Sequence, residues 1–267
     1  MKRGSEMTAE KATAQEATRK VAFAKVLAIQ IIAYVVLVAL ALVPGMMYGD
    51  AAKPAAVPFT IIASLAMVVL LVVFSPFRDG VAGHVIAAIA GLLSAICATT
   101  VMLGNVIFPA GLDGGKSFSM EEAWIAGVGG LLIVLIIVSF GRQMARENRT
   151  HLIRSLSHSV VEGVAMIASA GWCFLPVLLP TTHSKAAAMS AASGATVDMF
   201  SNVTTTWVVA AIVTVLVAVA LTVCSYFWHR DADPEPDARS LWIGLALLPV
   251  MLTGLAVGLA ALAIVVL

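Results

Sequence analysis

Seven long apolar stretches, separated by shorter polar ones, follow one another along the chain: 26–43, 57–74, 81–103, 123–140, 160–179, 207–228 and 241–267. A helix needs about 20 apolar residues, with a range of about 17–25, to cross the hydrocarbon of a bilayer. Leu, Val, Ile and Ala fill these stretches, without the two-residue alternation of a membrane β-strand. The pattern therefore predicts an all-α polytopic bundle of about seven transmembrane helices. Residues 1–25 form a polar N-terminal segment, with Thr13-x-x-Glu16 as a capping box for a short helix, and 26–267 form a single transmembrane domain. The first stretch is read as a retained span. Its 18 apolar residues exceed the roughly 7–15 of a signal peptide, and no small-x-small site follows at once.

Composition agrees with this reading. Hydrophobic residues make up 61% of the chain, charged residues 12%, and the mean hydropathy is +1.01. A water-facing surface needs about twice that charge, which excludes a soluble globular enzyme and a disordered chain. The formal net charge of +1 excludes a nucleic-acid binder. Cys97, Cys173 and Cys224 each fall inside an apolar stretch, so they read as buried small hydrophobes and not as a disulfide framework or a zinc site.

Lys and Arg set the expected orientation. Thirteen of the 16 lie in segments 1–25, 75–80, 141–159 and 229–240, and only Lys53, Lys116 and Lys185 lie on the other side. The N-terminus is thus expected in the cytoplasm. The Ala/Val-rich composition and short loops suit a bacterial cytoplasmic membrane. The acidic, Pro-rich segment 229–240 reads as a solvated linker, and the long segment 180–206 as a loop holding a short helix. In the segment 141–159, Arg142, Arg146 and Arg149 recur at i, i+4, i+7, with Leu152, Ile153 and Leu156 on another face. This predicts a basic amphipathic helix on anionic lipid headgroups, each basic residue being worth about 1 kcal/mol near the surface, or a segment that only enforces topology. The glycines at 111–117 lack the spacing of a phosphate-binding loop.

Helices in lipid associate by close packing of small residues. Gly83, Ala87, Gly91, Ala95 and Thr99 recur every four residues in the third stretch, and Gly254-x-x-x-Gly258 marks the seventh. Both are expected at helix contacts, and Pro249 is expected to kink the last helix.

Candidate chemistry centres on Glu162, the only formally charged side chain inside a predicted span. Arg154, His158 and Glu162 share a helix face at i, i+4, i+8, and His84 opens the third span at the same end. These four form either a proton relay or anion site, or an interfacial cluster with structural work alone. No catalytic residue, metal site or cofactor is expected, since His158-x-x-x-Glu162 supplies only two ligands. Three functions follow. The leading one is a non-enzymatic membrane protein: a small transporter, permease subunit or assembly factor, with the bilayer, anionic headgroups and other membrane subunits as partners. The alternatives are a membrane enzyme acting on a lipid-linked or anionic substrate at the cytoplasmic face, and the permease of an ATP-driven exporter.

Overall fold

The computed structural model describes residues 23–42, 52–75, 81–101, 119–145, 152–178, 205–231 and 241–266. Every regular element among them is helical: α1 (Phe23–Leu42), α2 (Ala52–Val73), α3 (Val81–Thr99), α4 (Met120–Met144), α5 (Leu152–Ser169), a 3₁₀ segment (Ala170–Phe174), a short α6 (Leu175–Leu178), α7 (Thr205–Asp231) and α8 (Leu241–Val266). Six helical segments are long and apolar enough to cross a membrane. The seventh, α2, contributes the apolar run Pro58–Val73 among the described side chains. The outward faces carry large apolar side chains, such as Ile62, Ile133 and Val215, each at least 60% exposed. Water would not tolerate so much contiguous apolar surface, whereas lipid tails solvate it. The protein is a multi-pass membrane helical bundle.

Several boundaries differ from the expected ones, each for a local reason. α4 begins three residues early because Ser119 caps it. The Ser119 hydroxyl accepts from the Glu122 backbone N–H (3.2 Å), and the Glu122 carboxylate accepts from the Ser119 N–H (2.8 Å). Counting apolar residues cannot place Glu121 and Glu122 inside a helix. α4 also runs past Phe140 to Met144 and ends at a cap on Ala145. Arg142 thus belongs to the last turn of α4, while Leu152 and Leu156 belong to α5. The expected single amphipathic helix over these residues is divided between two elements. The N-terminal segment 1–22 and the short helix expected within 180–206 lie outside the described residues.

The span expected at 160–179 departs most. It starts eight residues earlier, at Leu152, and tightens into a 3₁₀ turn at Ala170. Pro176 explains the tightening. Its ring nitrogen has no hydrogen for the Trp172 carbonyl four residues back, so the Leu175 N–H takes that carbonyl in an i→i−3 bond. Hydroxyls serve carbonyls just before the break: Ser94 Oγ donates to Ile167 O and Ser169 Oγ to Met166 O, both at 2.7 Å.

This broken helix is the centre of the bundle. Residues 165–176 are all buried, against α2, α3 and α8. Trp124 fills the core beside it, 0% exposed, with its indole N–H on Ser94 Oγ (3.1 Å) and its ring 5.2 Å from that of Phe174. Close backbone approach makes this possible. A Cβ on Gly171 would overlap the Gly254 carbonyl, one on Gly254 would overlap the Ala168 carbonyl, and one on Gly258 would overlap the Trp124 ring. α7 lies at the other extreme, with Val208, Ile212, Leu216 and Val223 exposed on its outer surface. Cys224 is exposed there too, contrary to the expectation that all three cysteines are buried.

Candidate functional site

Glu162 and His84 meet across the bundle. Glu162 is 0% exposed, and His84 Nδ1 lies 2.8 Å from one carboxylate oxygen and 3.0 Å from the other. His84 retains 19% exposure, so the imidazole bridges the buried carboxylate and the surface at that end. The two residues are far apart in sequence, and small residues bring their helices together. Gly83, Ala87, Gly91 and Ala95 are all buried on α3, and a Cβ on Gly91 would stand 3.0 Å from Met166 Cβ on α5. Beside Glu162, Gly163 leaves room for the Leu135 side chain of α4. α3 and α5 therefore approach closely by their backbones at Gly91, and α4 packs on α5 next to Glu162 through the Leu135 side chain.

Three further polar side chains are buried on the same two helices of that wall: Ser139 and Gln143 of α4 and Ser159 of α5. Ser139 and Gln143 continue, at four-residue spacing, the buried row that includes Leu135. Sequence reasoning treated Gln143 and Ser159 as loop residues, because the apolar run ends at Phe140. Their signal is the continuation of the buried register of α4 beyond the last apolar residue.

The other expected site residues are placed as follows. Arg154 and His158 belong to α5 together with Glu162, so helix continuity through residue 154 holds, and His158 is half-buried and engaged in an interaction of its own. Arg142 is partly buried at the end of α4. Arg146 and Arg149 lie outside the described residues. Gly254 and Gly258 face the central broken helix and Trp124. Among the described residues no three His, Cys, Asp or Glu side chains converge on one point.

The pair has simple chemistry. A carboxylate without water or partner is costly in a low-dielectric interior. The imidazole supplies a donor at Nδ1. Nδ1 lies within hydrogen-bond distance of both carboxylate oxygens, so a proton can lie between the two groups.

No family model matches the chain, and no curated protein or solved structure is similar enough to it to count as a match.

Proposed function

We propose that this chain is a non-enzymatic transport protein, a small transporter or permease subunit, in which His84 and Glu162 bind and release a proton. One observation carries the reading: a fully buried carboxylate is held by an imidazole that reaches the surface at one end. Buried ionisable groups in membrane helices are expensive to keep and commonly mark proton or ion pathways. In this reading the protein sits in a bacterial cytoplasmic membrane with its N-terminus inside. His84 then faces the cytoplasm, and the basic residues Arg142, Arg146 and Arg149 supply the charge that anionic headgroups would attract.

Two measurements test it. In cells lacking the gene, Glu162→Gln and His84→Ala are expected to fail where the wild type rescues the phenotype. In proteoliposomes on a solid-supported membrane, a pH jump is expected to give a transient proton current that Glu162→Gln abolishes. Full rescue by both variants, or a current that Glu162→Gln leaves intact, would refute the proposal.

A further inference from the structure

A second polar cluster lies where α1, α7 and α8 meet, built from residues that the proton pair does not use. Gln30 is 1% exposed, although its neighbours Ile31 and Ile32 point outward at 54% and 60%. Its Nε2 donates to Ser225 Oγ at 3.0 Å, and Ser225 Oγ donates in turn to the Thr222 carbonyl at 2.7 Å. One turn along α1, Tyr34 Oη lies 2.9 Å from Thr253 Oγ1, and Thr253 donates to the Pro249 carbonyl at 2.7 Å. The Thr253 proton is thereby committed, so the Tyr34 proton goes to Thr253.

Hydrogen bonding in this seam is asymmetric. The hydroxyls of Tyr34, Ser225 and Thr253 all donate, and the Gln30 amide donates to Ser225, whereas Gln30 Oε1 is buried and accepts from nothing. The backbone adds to the surplus. Pro249 has no N–H, so the Leu245 carbonyl receives no bond from position 249. Tyr34 stands at Pro249, with its Oη 3.5 Å from that carbonyl. Gln30 lies one turn before Tyr34 on α1, and Leu245 one turn before Pro249 on α8.

We infer that this seam is a binding site for a small monovalent cation, with Gln30 Oε1 as its principal ligand. Oxygen acceptors in excess of donors are the chemistry that hard cations select. The described part of the seam contributes no carboxylate, which favours a single positive charge over a divalent ion, for which carboxylates are the usual ligands. Helix irregularities that release carbonyls inside a membrane protein are suited to the same role.

The test uses the purified full chain in detergent at constant ionic strength. Choline chloride is replaced stepwise by sodium or potassium chloride while thermal unfolding is followed, and binding of radioactive sodium is measured in parallel. Sodium or potassium is expected to raise Tm saturably and choline is not. Gln30→Leu removes that dependence. Gln30→Glu adds a negative ligand and lowers the half-saturating concentration on the order of tenfold, a gain that a purely structural role of Gln30 would not produce. Should Gln30→Leu not fold, Gln30→Glu decides the matter together with Ser225→Ala, which is expected to weaken the response. Glu162→Gln is expected to leave it unchanged, so failure of the proton site and failure of this one are separate results. Equal Tm in all three salts for both the wild type and Gln30→Glu would overturn the inference and leave a buried water as the guest of Oε1. Loss of the sodium response in Glu162→Gln would overturn it as well, by moving the cation to the other site.

Discussion

Removing His84 while keeping Glu162 strands a carboxylate in the interior, and the cost falls on the charge left behind. Breaking a buried pair from one side costs about 3–5 kcal/mol, whereas replacing both partners by apolar residues of similar size is often neutral. His84→Ala is therefore expected to lower stability by that order in a reversible unfolding measurement in mixed micelles. The double variant His84→Leu/Glu162→Leu should recover much of it while abolishing any proton-linked activity. Stability that is equal in the single and double variants would mean that the pair is not coupled. The Trp124–Ser94–Ile167 chain of hydrogen bonds follows the same logic on a smaller scale. Ser94→Ala removes the acceptor of one buried donor and the donor of one buried carbonyl, at about 1–3 kcal/mol for each group left unsatisfied.

At the scale of the element, glycine has two distinct uses. Gly129 of α4 has nothing within 4 Å of a would-be Cβ, while a Cβ on Gly258 of α8 would overlap the Trp124 ring. Gly129→Ala should be neutral or stabilising by up to about 1 kcal/mol through helix propensity. Gly258→Ala should destabilise by about 1–3 kcal/mol or more, because a ring locked in the core must shift. Thermal unfolding of the two variants side by side checks the contrast, and similar effects would contradict the close approach of α8 to Trp124. The start of α4 gives an independent check. Ser119→Ala removes the hydroxyl arm of the capping box, leaving the backbone N–H of residue 119 on the Glu122 carboxylate, and is expected to cost about 1 kcal/mol, within a range of about 0.5–2.

For the molecule as a whole, the central position belongs to the least regular helix. α5, its 3₁₀ continuation and α6 are enclosed by the others, and α7 is held to the rest through α8 and the Gln30–Ser225 bond. The proton pair and the cation seam lie in different helix sets, α3/α5 and α1/α7/α8, which meet at the broken segment. Trp172 marks the junction, with its indole N–H on the Val250 carbonyl at 2.9 Å and its ring 6.0 Å from that of Tyr34. Orientation is tested at this scale. An alkaline phosphatase fused after Leu267 is expected to be active, and a cytosolic reporter fused at the same place silent. The reverse result would invert the arrangement in which both His84 and the basic segments face the cytoplasm.

What the sequence by itself determined is the set of segments that enter the bilayer. Crossing hydrocarbon demands a run of apolar residues of known length, and that demand is local. Glu162 stood out for the same reason, as a charge inside such a run. The small-residue rows at Gly83–Ala95 and Gly254–Gly258 were legible as well, since absence of bulk is visible without a partner. Which face of each helix turns inward was not legible, because lipid tails are as apolar as the side chains of the core and hydrophobicity does not distinguish them. Only the tertiary structure set His84 against Glu162 and Gln30 against Ser225, extended the buried row of α4 to Gln143, and exposed Cys224. These pairings depend on the rotation of helices about their axes, and that rotation is fixed by contacts between residues tens to hundreds of positions apart.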